Sequence, residues 1–420
     1  MLLAHMSDIH LGARKYGENV IYEDVFEAFE RSLDEIAREH VEVLVIGGDL
    51  FDSPHPDNET MLRALRLLKG ASERGIKIFA VHGEHDTPGR REVSPLVVLS
   101  EAISGFKAPT PLGSNLSREP EIVNLMTVDY NGLRLLLYPF FKLSIEERRS
   151  IYQRLRPYYD AKVREARSEG LRTIFVAHIP VDPVFRFKEE TVTSVMSFPR
   201  VEYVALGHIH ERHIGSQRLV DGEQWYAYPG SLYPLDVLES ANTHKRGPLL
   251  VDLSSKEGVS ISEVNVEVRK HFVLSARVKD VMSVGTAIRA TISKVAGSSV
   301  NGKGPLVHLK VEVPPGVPAR LIESEASRVA KDLNLIIIPH LVRVSEEGEG
   351  KPRTPHDDTG RVDVKNVLLN EVGLDEVTSK VIEELIGQAA EGDEQAIESA
   401  LEKLASWPKS LETLRRLAEP

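Results

Sequence analysis

Cysteine is missing from all 420 residues, which excludes disulfides, thiolate zinc sites, iron–sulfur clusters and cysteine nucleophiles. Any metal must therefore be held by histidine and carboxylate, and the chain suits a reducing compartment. No run of about 18 apolar residues occurs, and the opening MLLAHMSDIH turns polar after five residues, so neither a membrane span nor a signal peptide is expected. Positive charge is also in deficit: 52 Lys and Arg face 63 Asp and Glu, a net of −11, which argues against a binder driven by bulk electrostatics. The deficit is local, however. Residues 346–420 carry −9 of it, so the body before them is near neutral and can still present a basic surface. What remains is ordinary globular composition, 41% apolar and 27% charged, in a chain long enough for two or three domains.

Up to about residue 255, short Val/Ile/Leu runs alternate with longer segments of 3.6-residue periodicity, as in an α/β sheet covered on both faces. The runs are LLAHM (2–6), VEVLVIGG (41–48), IKIFAV (76–81), RLLLYPF (134–140), RTIFVA (172–177), VEYVALG (201–207) and PLLVDL (248–253). Between the first two, Val25, Phe29, Leu33 and Ile36 mark one helical stripe, which makes a βαβ unit. The expected organisation is an α/β domain over 1–265, a small α/β domain over 266–344, a flexible Gly-, Pro- and charge-rich linker over 345–361, and amphipathic helices over 362–420. The helical tail is expected to dock a partner, the alternative being a small bundle packed on its own body.

Five of the apolar runs end in metal-capable residues. They deliver Asp8 and His10 (SDIH), Asp49 (GGDLFD), Glu84, His85 and Asp86 (HGEHD), His178, and His208 and His210 (GHIH). Ligands of α/β sheets gather at the carboxyl ends of strands, so these side chains are expected on one rim. Any single strand-end Asp or His is more often a cap or loop residue; five together read as a metallophosphoesterase site. Imidazole with carboxylate and no thiolate suits manganese, iron or zinc, and a carboxylate such as Asp49 can bridge two ions. The DxH and HxH spacings put Asp8 with His10, and His208 with His210, on one side of an extended segment. His5 is read as a core residue.

The order DxH, GDxxD, GEHD, a lone His and GHxH resembles the motif set of calcineurin-like metallophosphoesterases. With SDIHLGARKYG, YPGSL (228–232), the second α/β domain and the helical tail, the chain is similar to the double-strand-break repair nucleases of the SbcD and "meiotic recombination eleven" type, an archaeal member above all. The resemblance implies a calcineurin-like sandwich with an α/β capping domain and a helical C-terminal tail. It assigns Asp8, His10, Asp49 and His210 to one manganese ion and Asp49, Glu84, His178 and His208 to the other, with Asp49 bridging. It makes His85 the catalytic histidine and Asp86 the residue that orients it. Two positions depart from the family: Glu84 stands where Asn is usual, adding a negative charge, and Asp52 stands where several relatives carry a His linked to exonuclease action.

Basic residues follow the rim loops: Arg14 and Lys15, Arg90 and Arg91, Arg186 and Lys188, and Arg212. Singly each reads as a solvated charge; as a ring they favour DNA, held through its backbone without base reading. The resemblance further implies a homodimer through helical faces such as ETMLRALRLLKGA (59–71) and PLVVLSEAI (95–103). It also implies a tail that binds an SMC-like coiled-coil ABC ATPase, since this chain has no phosphate-binding loop for ATP. The expectation is a manganese-dependent exonuclease and single-strand endonuclease of break repair, cytoplasmic and nucleoid-associated. Its rivals are a small-molecule phosphodiesterase or phosphatase, and a DNA-bridging scaffold with weakened catalysis.

Overall fold

The computed structural model describes residues 1–344 apart from residue 18 and segments 90–91, 112–117, 186, 220–221, 242–244 and 255–257. The linker and helical tail expected over 345–420 lie outside the described residues, as do Arg90, Arg91 and Arg186. Contacts divide the chain into two compact units, Met1–Phe272 with Ser298–Pro305, and Val273–Gly297 with the residues from Leu306 onward. Among the described residues no helix is long and apolar enough to cross a membrane.

The first unit runs β1 (Leu2–Met6), α1 (Asn19–Arg38), β2 (Val43–Ile46), α2 (Asn58–Glu73), β3 (Lys77–Ala80), α3 (Pro95–Ala102), β4 (Phe106–Lys107), α4 (Glu119–Leu125), β5 (Thr127–Tyr130), β6 (Leu133–Leu137), α5 (Ile145–Ser168) and β7 (Arg172–His178). It continues through β8 (Val181–Asp182), β9 (Thr193–Ser194), β10 (Tyr203–Gly207), β11 (His213–Leu219), β12 (Gly222–Tyr228), α6 (Val237–Ala241), β13 (Leu249–Asp252) and β14 (Ser260–Glu263). Two six-stranded sheets form, β14-β13-β1-β2-β3-β4 and β11-β12-β10-β7-β6-β5. One apolar cluster lies between them, joining Leu3, Val43, Val45 and Phe79 of the first to Leu135, Leu137, Ile174, Val176 and Ala205 of the second. The alternate residues Ala4, Met6, Leu44, Ile46 and Ile78 are also fully buried, so the first sheet is covered on both faces, as continuous apolar runs require. The second sheet's other face carries Leu136, Phe175, Val204 and Leu206 packed with Tyr152, Leu155, Tyr159 and Val163 of α5. This is the expected α/β sandwich, and the α1 stripe of Val25, Phe29, Leu33 and Ile36 is buried as read.

One hairpin was not legible. β11 pairs antiparallel with β12 at the sheet edge, and β11 carries a polar, mostly half-exposed sequence that lacks an apolar run. In the second unit, β16 (Leu306–Val313) lies parallel to β17 (Ile336–Arg343), with β15 (His271–Arg277) on its other side. Helices α7 (Val284–Ile292) and α8 (Ala319–Leu333) bury Ile288 and Ile292, and Ile322 and Val329.

Candidate metal centre

Strands β1, β2 and β3 run parallel, as do β6, β7, β10 and β12, so each sheet ends its central strands on one edge. Glycine lets those edges close. A Cβ on Gly207 would fall on the Gly47 carbonyl, and one on Gly48 would fall on the His178 ring, so the ends of β2, β7 and β10 meet only because these positions lack side chains. The loop after β1 is tied to the loop after β2 by Asp8 N–H donating to Gly48 O (3.0 Å) and Ile9 N–H to Asp49 O (2.8 Å). His208 N–H donates to the Asp8 carboxylate (3.0 Å), bringing in the loop after β10.

Three groups of donor atoms result, each within 4.8 Å of one another: Asp8, His10 and His210; Asp8, Asp49 and His178; and His10, Asp52 and His85. His178 Nε2 lies 3.2 Å from Asp49 Oδ2, and the Nε2 atoms of His10 and His210 are 3.1 Å apart. The His178 and His208 rings meet edge to face at 5.4 Å. Sequence spacing reached this grouping by a mistaken route. Asp8, His10, Asp49 and His208 all have positive φ (53°, 54°, 51° and 103°), so the DxH and HxH segments are not extended. Each side chain arrives through a sharp left-handed turn just past its strand, a conformation non-glycine residues adopt only where the surroundings impose it.

The centre is built to take positive charge. Burial would lower the His178 and His210 imidazoles, but Asp49 and Asp8 beside His178, and Glu239 and Asp8 beside His210, push both up to about 9. Burial would raise the Asp49 carboxyl, yet the His178 charge holds it well below the ordinary carboxylate range. A field that draws extra protons onto buried imidazoles draws a divalent cation by the same Coulomb term. His178 Nε2, His10 Nδ1 and Asp52 Oδ1 are buried and face only other donor atoms of the centre and Lys15: the first lies against Asp49 Oδ2, and the other two face each other at 3.3 Å. His178 Nδ1 donates to Gly47 O (2.9 Å) and His210 Nδ1 to Glu239 Oε1 (2.8 Å), which turns both Nε2 atoms toward the centre. Glu239, steadied by Ser231 Oγ (2.7 Å), comes from α6 and carried no signal in the sequence. These residues fit a divalent metal.

The HGEHD loop differs from expectation. Asp86 is fully buried, and its carboxylate accepts not from the His85 ring but from the backbone N–H of Leu50 (3.2 Å), Phe51 (3.0 Å) and Gly83 (3.1 Å). Burial and then Asp49's charge push Asp86 up to about 7, while the three donors work the other way. The partner of His85 is the Asp52 carbonyl, which accepts from Nδ1 at 2.9 Å. With His85 N–H donating to Asp49 Oδ1 (2.8 Å), the turn leaves Glu84 exposed and outside the three groups, so the structure does not bring its carboxylate to the other donors. Among the basic residues, Arg14 pairs with Asp57 (2.9 Å) and stacks on Tyr22, Lys15 sits 3.5 Å from Asp52, and Lys188 is exposed. Arg212 is a correction: its side chain is 7% exposed and donates to Pro229 O, Gly247 O and Glu263, so it is no free cation at the rim. His5 is buried and bonded to Tyr203 OH (2.8 Å), as expected of a core residue.

Clustered Asp and His donors where two sheets end together define a metal-dependent phosphoester hydrolase. The chain belongs to the calcineurin-like phosphoesterases, whose family profile matches residues 1–212, and within them to the Mre11 family. It is similar to the DNA double-strand break repair protein Mre11 of Aeropyrum pernix, 30% identical over 409 residues that cover 96% of this chain and 95% of the relative. The proteins of that name from Sulfolobus acidocaldarius (26% identical, covering 96% of this chain and 99% of the relative) and Sulfurisphaera tokodaii (24%, covering 93% of each) are similar along nearly the same length.

Proposed function

We propose that this protein is a manganese-dependent DNA nuclease of double-strand break repair, acting on free ends as an exonuclease and on single strands as an endonuclease. The observation that carries the reading is the convergence of Asp8, His10, Asp49, His178 and His210, with buried nitrogens turned inward, on a chain similar to break-repair proteins over nearly its whole length. Asp8, His10 and His210 would hold one divalent ion and Asp49 with His178 the other, with His208 beside them; hard carboxylates with imidazole and no sulfur favour manganese. Two such ions supply charge neutralisation for the phosphodiester oxygens and acidity for an attacking water.

The chain's own groups do the rest. His85 donates Nδ1–H to the Asp52 carbonyl, which leaves Nε2 free to exchange a proton with the leaving oxygen. Asp86 fixes the turn that presents His85, and Glu239 fixes His210. DNA would be held by backbone contacts from Arg14, Lys15, Arg90, Arg91, Arg186 and Lys188. Homodimerisation through α2 and α3 is supported by Leu62 and Val98, 46% and 44% exposed on those helices. Residues 362–420 would bind an SMC-like coiled-coil ABC ATPase. The test gives purified protein with manganese three substrates side by side: single-stranded DNA, duplex ends and a chromogenic phosphodiester. Cleavage of both DNA forms is expected. Cleavage of the chromogenic ester alone would make it a small-molecule phosphodiesterase, and DNA binding without cleavage of any substrate would make it a scaffold.

A further inference from the structure

Arg148 lies in the first turn of α5, a position that neither the motifs nor the basic ring pointed to. A guanidinium carries five donors and a permanent charge, and burying it without partners is costly. Yet Arg148 is half-buried, and its Nη2 is sealed from solvent with no hydrogen-bond partner among the described residues. The hydroxyl of Tyr138, which senses its charge, is likewise buried and unpartnered. The guanidinium lies over the ring of Phe140, 4.7 Å from its centroid, and Phe140 meets the His178 ring edge to face at 6.0 Å. Its charge is felt by Glu84 and by His208, residues of two different rim loops. Arg148 therefore stands one aromatic ring away from His178, on the helix packed against the second sheet, with a buried donor to spare.

We propose that Arg148 is a phosphate-contacting residue, its guanidinium donating to a non-bridging oxygen of the phosphodiester bound at the His178–His208 side of the centre. The stem of α5 serves this placement: the Ser144–Glu147 capping box fixes the first turn, and the Phe140 ring lies beneath the guanidinium. A fork of donors suits a tetrahedral anion, and the low local dielectric makes each charged hydrogen bond count for more than it would in water. Exposed Glu84 lies near enough to be felt, and it would oppose entry of an anion that Arg148 does not meet. The proposal takes the phosphoesterase reading as its ground, but it concerns binding of the phosphoryl group and not the identity of the nucleic acid.

The test uses the full chain loaded with manganese, with inorganic phosphate as the probe in calorimetry, beside manganese titrations and thermal melts of each variant. Arg148→Gln keeps the aliphatic stem and removes the charge with the group that lies over Phe140; Arg148→Lys keeps the charge and removes the fork. Phosphate affinity is expected to fall about tenfold or more in Arg148→Gln and by a smaller factor in Arg148→Lys, with manganese affinity at the wild-type value. Wild-type phosphate affinity in Arg148→Gln overturns the proposal, as does a parallel loss of manganese and phosphate, which would make Arg148 a support for the metal loops. Should Arg148→Gln fail to fold, Arg148→Lys decides: lowered phosphate affinity with unchanged metal binding supports the contact, and wild-type affinity refutes it. If the wild type binds phosphate through Arg148 but cuts no DNA, the nuclease reading fails and this one stands.

Discussion

At the scale of single residues, the least expected role belongs to Asp86. Three buried backbone N–H groups, from two loops 33 residues apart, share one carboxylate, so this side chain ties the loop after β2 to the loop after β3. An amide of the same shape offers one oxygen and turns an NH2 group toward a donor, leaving at least one N–H unpaired in the interior. Asp86→Asn should therefore cost about 1–3 kcal/mol in urea denaturation and lower hydrolysis of a chromogenic phosphodiester, although Asp86 touches no substrate. Wild-type stability in that variant would show the three donors to be satisfied elsewhere. The convergence of Asp8, His10, Asp49, His178 and His210 was legible because each lies at or just past the end of an apolar run, and the strand-end rule needs only local pattern. Glu239 and Arg148 carried no motif, and Asp86 was given another role, since Glu239 meets His210 across 29 residues and Asp86 meets Leu50 and Phe51 across 36 and 35, which only the folded chain brings together. Glu84 sits in a motif slot that implies a metal ligand, and the turn that Asp86 clamps leaves it exposed and outside the donor groups.

At the scale of elements, two devices set the centre's geometry. The first is space at strand ends. A Cβ on Gly83 would coincide with the Asp49 carboxylate, so Gly83→Ala must displace Asp49 from its place beside His178. Hydrolysis should fall by about 10²-fold or more, as expected when reacting groups are displaced by about an ångström. Manganese affinity should fall with it, and the thermal melt should move little; wild-type turnover would place Asp49 outside the chemistry. The second device anchors α1. Buried Asp24 accepts from Tyr233 OH (3.0 Å), Lys303 Nζ (2.7 Å) and Arg269, so the segment around Lys303 and the chain before β15 are pinned to one helix. Burial alone would raise the Asp24 carboxyl; donation from Arg269 and Lys303 outweighs it and holds the group below its ordinary value. A carboxyl depressed in the folded state contributes stability that is complete above its unfolded pKa and is lost as pH falls through the folded one. Urea midpoints should therefore drop below the ordinary carboxylate range in the wild type and more shallowly in Asp24→Asn. At neutral pH that variant should be weaker by about 3 kcal/mol, the lower end for a broken buried pair, because Lys303 keeps Glu27. Equal acid slopes in the two proteins would remove Asp24 from the account. Periodicity showed α1 and its buried stripe, but not that a loop at residues 298–305 returns to the first unit, because nothing in the charge of Lys303 names Asp24 as its partner.

At the scale of the whole molecule, charge is partitioned along the chain more sharply than its net of −11 suggests. Residues 346–420 carry −9, so the part with the clustered Asp and His donors is close to neutral overall, and the basic residues proposed to meet DNA, Arg14, Lys15 and Lys188 among them, belong to that part. A polyanionic substrate is drawn by those basic residues and opposed by the negative charge of residues 346–420. Both act between charges in solvent, so both decay over a Debye length of about 10 Å at 0.1 M salt. A chain ending at Val344 keeps every residue placed at the centre and loses that negative charge, together with the segment proposed to bind the ATPase. At about 20 mM salt it should bind single-stranded DNA roughly threefold to tenfold more tightly than the full chain, with the difference gone by about 0.5 M. Its hydrolysis of an uncharged-leaving-group phosphodiester should match the full chain at every salt concentration, because a small monoanion feels little of a distant field. Salt titrations of DNA affinity for the two chains, read by fluorescence anisotropy, decide it. Coincident curves would mean that the acidic segment is held away from the DNA-facing rim, and slower ester hydrolysis by the shorter chain would mean that the segment supports the centre itself.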